Sequence, residues 1–351
     1  MTESNESQFS QNMAQAQGVE NTPGVSRQKR QQNIRKELAE MAQKDPDTIS
    51  LGEAERDTQR AKELTQELLQ IQQELERIEK AKEIMGNDFM GPEQVAAAFN
   101  FDPTTIEVPP IPFSAQELER AKQLGQFLIL RIDKDNGGNP LTMQRIGIIL
   151  NDKLKDNGKV FSNLDWQQTE EFFTTDFPKA RWALVSKDLL GYENNGQIKD
   201  EDEAKVSTNK NYLEQTQVLI NYLKNEVFQG GTIPLEYTQA IAEFDQEKAS
   251  IGAIIESSNG TEWKRAAEML ENLQITQLLR QSSVEALYDL IVYFQITGVR
   301  LLSNQYVWTS CRASDGYLVR VGSFWFVGAS VSGSEPDSRY DNLGVSFSRS
   351  L

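Results

Sequence analysis

The chain has 351 residues, 36 Lys and Arg against 52 Asp and Glu, a formal net charge of −16, one cysteine and no histidine. That charge disfavours non-specific binding to DNA, RNA or anionic lipid, which rests on phosphate neutralisation, so no nucleic-acid partner is expected. The absence of histidine removes Ser-His-Asp and Cys-His catalysis and every His-ligated metal, so a binding or structural protein becomes the leading class.

No run of 18 apolar residues occurs, so no membrane span is expected. The first residues, MTESNESQFSQNMAQAQ, lack the basic and apolar regions of a secretory signal. A cytoplasmic location is the default expectation, with surface display left open. Residues 1–55 are rich in Gln, Ser, Asn and Glu and too poor in apolar residues to offset chain entropy, so they read as a disordered tail. The locally basic stretch 27–36 reads as part of that solvated tail.

Residues 56–86 follow as a coiled coil or a single amphipathic helix. Ala61, Leu64, Leu68, Ile71, Leu75 and Ile78 recur at alternating steps of three and four with charged and amide residues between them. A homo-oligomer through 61–78 is the partner this spacing allows. Residues 87–112 hold a short helix starting at Pro92 and the stiff connector VPPIPF. Ser114 and Glu117 form a capping-box pair at the start of the next helix.

From 113 onward the pattern is mixed. QFLILRID (126–133) reads as a buried strand, LTMQRIGIILNDKL as an amphipathic helix and RWALVSKDLL (181–190) as a second strand. Helical periodicity dominates about 195–285, and VEALYDLIVYFQITG (284–298) is a strongly apolar helix ending at Gly298. After residue 304, short aromatic and β-branched segments separated by Gly, Ser, Asp and Pro predict an antiparallel β region over 306–349.

Two local patterns carry chemistry in other proteins. Asp133 and Asp135 open a segment like a calcium loop, but Gly137 and Gln144 stand where ligands are needed, so a turn is the better reading. Cys311 precedes Arg312, yet it has no second thiol or imidazole beside it and reads as a small buried side chain. No metal or cofactor is expected. No pair of Asp or Glu residues stands out for carboxylate catalysis.

The C-terminal segment carries a family likeness. Trp308-Thr309-Ser310, Arg320-Val321-Gly322-Ser323-Phe324, and Pro336-Asp337-Ser338-Arg339 through Leu343-Gly344-Val345 resemble the closing strands of the C-type-lectin-like fold. That fold occurs in formylglycine-generating-type domains and in the variable proteins of diversity-generating retroelements. Here Val-Gly-Ser-Phe stands where those families have Gly-Gly-Ser-Trp, with Trp325 one place later. Residues 113–305 resemble, more loosely, proteins of ultra-small candidate-phylum bacteria that share QFLILRID and WALVSK.

The resemblance implies an α+β chain: a C-type-lectin-like domain over 113–351, with a helical insertion at about 195–285, behind a helical or coiled-coil neck and the tail. It also implies a pairing of QFLILRID with a closing strand at 343–349. Val319, Val321, Leu343, Val345 and Phe347 are then expected to face inward, with the intervening residues outward. The catalytic relatives need two thiols or three histidines, which this chain lacks. The retroelement relatives instead vary Asn codons, giving Ser, Tyr, Asp, Gly, Phe, Val, Ala and Asn. On that branch the expected variable face is Ser323, Trp325, Phe326, Ser330, Ser332, Gly333, Ser334, Ser338, Tyr340, Asp341 and Asn342. Trp325 and Glu335 do not arise from an Asn codon. The implied function is recognition of a protein or glycan ligand without catalysis. The alternative is a structural or assembly protein working through its heptads and helices.

Overall fold

The structure is a computed structural model that describes residues 27–44, 50–151, 159–193, 197–198, 202–257 and 262–350. The chain divides into two compact units, 1–73 with 104–107, and 74–103 with 108–351.

In the first unit, helix α1 (Arg27–Ala42) lies antiparallel to the start of helix α2 (Leu51–Met85). The direction follows from three ion pairs: Arg30 with Glu67 at 2.6 Å, Glu37 with Arg60 at 2.8 Å and Lys44 with Asp57 at 2.6 Å. Ile34 and Leu64 are fully buried between these rungs. Residues 27–42 are therefore helical, against the expectation of a disordered tail through 55, and α2 begins at Leu51. The apolar side chains that make this possible are few. The helix exists because α2 supplies the other half of its seam and its charged partners. Residues 1–26 and 45–49, also assigned to that tail, lie outside the described residues. Along the heptad positions Leu64 and Ile71 are buried and Ala61, Leu68, Leu75 and Ile78 half-buried. At Leu64 the covering helix comes from the same chain.

The second unit is α+β. In chain order it holds β1 (Phe89–Met90), α3 (Pro92–Phe99), α4 (Ala115–Gln123), β2 (Gln126–Arg131), α5 (Met143–Asn151), α6 (Glu171–Thr174) and β3 (Arg181–Ser186). After these come a small hairpin of β4 (Tyr192–Glu193) and β5 (Gln197–Ile198), then α7 (Tyr212–Tyr222), α8 (Leu235–Ser257), α9 (Trp263–Asn272), α10 (Gln274–Leu279) and α11 (Ser283–Thr297). The remaining elements are β6 (Tyr306–Arg312), β7 (Leu318–Trp325), β8 (Gly328–Ser334), β9 (Leu343–Gly344) and β10 (Ser348–Arg349). The expected capping box opens α4: Ser114 Oγ accepts from the Glu117 amide at 3.3 Å and the Glu117 carboxylate accepts from the Ser114 amide at 2.9 Å.

The strands form two four-stranded sheets, ordered β1-β2-β3-β10 and β8-β7-β6-β9. Every residue of β2 is buried, which explains its unbroken apolar run. β2 pairs antiparallel with β3, Phe127 opposite Val185 and Leu130 opposite Trp182. The closing segment pairs differently from the expectation. β3, not β2, receives β10, with Ser348 opposite Val185. Meanwhile β9 runs parallel to β6 in the other sheet, Leu343 opposite Tyr306. The segment 343–349 is thus two short strands that cross from one sheet to the other. Val319, Val321, Leu343, Val345 and Phe347 are all fully buried as expected, but Gly344, Ser346 and Ser348 between them are buried too. A strand passing between sheets has no outward face.

Helix α11 packs on β2, β6, β7, α3, α5 and α6, touching both sheets, and every residue from Ser283 to Tyr293 is buried. An all-round apolar helix demands such a place. The helices α7–α10 fall within the region expected as an insertion, and they share one core with the second sheet. Tyr212, Leu219, Phe244, Leu270 and Leu279 pack in a single cluster with Trp308, Leu318, Leu343, Val345 and Phe347. Residues 195–196, 199–201 and 258–261 within the region expected as an insertion lie outside the described residues. Among the described residues no helix is long and apolar enough to cross a membrane.

Candidate recognition surface

Strand parity divides the second sheet into two faces. Val307, Val321 and Val331 stand opposite one another across β6, β7 and β8, and with Val319 they are buried on the α11 side. Phe324 joins that side, meeting the Phe294 ring edge-on at 5.5 Å. The other face carries Trp308, Arg320 and Ser332 in one row and Tyr306, Gly322 and Ser330 in the next. Helix α7 covers one end of it, where the Tyr212 ring meets Trp308 at 5.4 Å and Leu318 is fully buried. Tyr306, Arg320, Ser330 and Ser332 are only partly covered.

A bulge in β7 shapes the open end. Register shifts between Gly322 and Trp325, and Ser323 takes φ 44°. Gly322 is required there, because a Cβ would stand 2.1 Å from the Gln305 carbonyl oxygen. The bulge returns Phe324 to the core and turns Trp325 outward. Trp325, Phe326 and Val327 then form the exposed β7–β8 tip, at 48%, 63% and 56% exposure. Three adjacent apolar side chains this open on a hairpin tip are not a folding requirement.

The loop 335–342 arrives at the same end of the sheet, immediately before β9. Three of its attachments are made by main-chain carbonyls. The Tyr212 amide donates to the Pro336 carbonyl at 3.0 Å, Asn209 to Tyr340 at 3.0 Å and Tyr306 to Asn342 at 2.8 Å. Asn211, the cap of α7, holds that helix start in place by accepting from the Glu214 amide at 2.9 Å. Arg339 pairs with Glu214 at the surface. Tyr340 is exposed, and its ring lies 5.2 Å from the Arg320 guanidinium, which has Tyr306 at 4.7 Å.

The expected variable residues therefore separate into groups. Trp325 and Phe326 form the tip, Ser330 and Ser332 lie on the open face, and Tyr340 and Asp341 project from the loop. Ser323, Ser338 and Asn342 are half-buried beside them. Gly333 and Ser334 fall outside this surface. Gly333 shares the parity of Val319, and a Cβ there would stand 2.8 Å from Tyr317 Cβ, while Ser334 is buried. Arg320, Tyr306 and Val327 were not anticipated. Arg320 and Tyr306 were legible only as alternate positions flanking Gly322, which needs the register of both neighbouring strands.

Other chemistry-bearing groups are committed to the fold. Arg131 is fully buried, donating to Asp289 at 3.1 and 2.6 Å, with Glu285 at 3.2 Å. Glu285 also takes Arg181 at 3.1 Å, and Asp289 takes Gln281 at 2.7 Å. Burial opposes the Arg131 charge, but the two carboxylates hold it raised. Burial likewise works to raise Glu285, yet Arg131, Arg181 and the Ser282 amide keep it below its ordinary range. Burial wins at Asp289, which is pushed up. Two carboxylates four residues apart on α11 are thus clamped by arginines rather than presented to a substrate.

Asp135 accepts from the Gly137 and Asn139 amides at 2.8 and 2.9 Å and from Arg145 at 2.6 Å, so its oxygens are filled by protein donors. No group of three His, Cys, Asp or Glu placed to hold a metal occurs among the described residues. Cys311 is half-exposed as a residue, but burial of its sulfur pushes the thiol up to about 11, and the sulfur accepts from the Ser283 amide at 3.3 Å.

The class these features define is an α+β protein with an aromatic-tipped sheet end. Comparison with protein-family models, curated proteins and solved structures finds no match for this chain.

Proposed function

We propose that this chain is a recognition protein of the C-type-lectin-like, retroelement-diversified kind, binding a ligand through the β7–β8 tip, the open face of the second sheet and the loop 335–342. The observation that carries this reading is the mode of attachment. The exposed side chains sit on a hairpin and a loop held by peptide groups, while the fold rests on Val319, Val321, Phe324, Val331 and Leu343 beneath them. Substitution at the surface then costs the fold little and changes what is bound. Tyr, Trp, Ser and Asn also make good contact residues, combining rigid apolar area with adaptable hydrogen bonds.

Two tests address the two parts of the reading. The diversification part requires a near-copy of the sequence encoding 320–349 beside a reverse transcriptase gene, with differences between copies confined to adenines. A survey of loci that finds no such template removes it. The binding part requires that Trp325→Ala and Phe326→Ala together abolish capture of ligands selected on the intact protein. Ligands that bind equally well to the double variant would place the site elsewhere.

A further inference from the structure

The open face holds a cation with no counter-charge. The Arg320 side chain makes no hydrogen bond or ion pair among the described residues, and its Nε is buried without an acceptor. Asp337 and Asp341 lie on the neighbouring loop, yet neither forms an ion pair with it, and Arg339 is taken by Glu214. The Arg320 Nη1 and Nη2, which are not among the buried atoms, are the donors a partner could meet.

The guanidinium is held in place by its surroundings. The Tyr306 and Tyr340 rings stand 4.7 and 5.2 Å from it. A cation–π contact uses no N–H donor of the guanidinium, so those groups keep their hydrogen-bonding capacity. Ser332 stands directly across from Arg320 on β8, and Ser330 lies two residues along the same face. Neither hydroxyl has a partner among the described residues. Fixed planar donors with hydroxyls alongside match a carboxylate, which an Arg fork binds with two parallel bonds. One guanidinium fork suits one carboxylate rather than a dianion.

We propose that Arg320, clamped by Tyr306 and Tyr340, binds an Asp or Glu side chain of a protein partner, with apolar residues of that partner packing on Trp325 and Phe326. This rests on the recognition reading of the same surface and names the chemistry of its ligand. The apolar tip at the end of the same hairpin is what favours a peptide over a bare acidic glycan, since it needs apolar surface to cover.

The test is selection of phage-displayed random dodecapeptides on the full-length protein, followed by binding of synthetic copies. The expected result is that selected peptides share an Asp or Glu next to an apolar residue. Replacing that acid by its amide should weaken binding about thirtyfold or more, the lower end of the effect of truncating one partner of a desolvated charge pair. Arg320→Gln should do the same, and Arg320→Lys should not restore it, because a point charge loses the planar fork. Unchanged thermal midpoints would show that both variants fold, and the amide-substituted peptide tests the same contact on the unaltered protein. Peptides that depend on Trp325 and Phe326 but not on an acid or on Arg320 would overturn the carboxylate and leave the recognition reading standing. Recovery of no peptide, with binding instead to a sialylated glycan array, would overturn the protein partner. Failure of both peptides and glycans would overturn the proposal together with the recognition reading.

Discussion

Arg131 Nη2 donates to Ser348 Oγ at 3.1 Å, joining β2 to β10 although β3 lies between them in the sheet. The same guanidinium holds Asp289 and Glu285 of α11, so one side chain gathers three elements. Removing Arg131 leaves Asp289 buried with only Gln281 beside it and Glu285 with Arg181 alone. Arg131→Met is expected to lower stability by about 3–5 kcal/mol, and Ser348→Ala by about 1 kcal/mol. Urea unfolding of both variants checks the order; equal losses would mean that the arginine is not the organising group.

The Asp135 turn makes a prediction about acid. Burial works to raise this carboxyl, but the Asn139 amide and side chain, Arg145 and the Gly137 amide hold it below its ordinary value of 3.8. A carboxylate depressed in the folded state stabilises above its unfolded value and loses that contribution as pH falls through its folded value. Asp135→Asn should therefore cost roughly 2 kcal/mol at pH 7, in the range for hydrogen bonds to a charged group. The difference from the parent protein should shrink as pH drops below about 4. Thermal midpoints from pH 7 to 3 test this. Added calcium should leave the midpoint unchanged, because protein donors already fill the carboxylate.

Cys311 should be slow to react. With its thiol pushed up to about 11, little thiolate exists near neutrality. Iodoacetamide at pH 8 is expected to label the native protein far more slowly than the denatured one. Rapid native labelling would show that the sulfur is reached by solvent and that Ser283 does not hold it.

Tolerance to substitution should follow the surface described above. Trp325→Ser, Phe326→Ser and Tyr340→Ser are expected to change stability by no more than about 0.5 kcal/mol. Gly322→Ala should fail to fold stably, since its Cβ would meet the Gln305 carbonyl at 2.1 Å. Gly333→Val should destabilise through Tyr317. Midpoints by circular dichroism across this set test the contrast, and a stable Gly322→Ala protein would refute the bulge geometry.

Much of the local structure was legible in the residues. Ser114 with Glu117, the unbroken run of β2, and the apolar helix before Gly298 each carry a short-range signal that tertiary packing did not override. What escaped depends on distance along the chain. α1 looks too polar to fold because its ion pairs come from residues 57–67 on α2. The segment 343–349 alternates like one strand, and nothing in that alternation reveals that β6 takes its first half and β3 its second. The surface was partly legible for the same reason. Exposed Ser, Tyr and Asp residues announce themselves by type, whereas Arg320 becomes notable only when the register places Ser332 across from it and no carboxylate within reach.

The peptide-group attachments of the loop 335–342 separate two properties that usually constrain each other. Pro336, Tyr340 and Asn342 are held through carbonyls, which every amino acid possesses. What this loop touches can thus change from one variant to the next without a compensating change in what keeps it in place. On the proposed reading, what the loop binds and what holds it are set by different atoms at these three positions, so a change of side chain there draws little from the fold's stability.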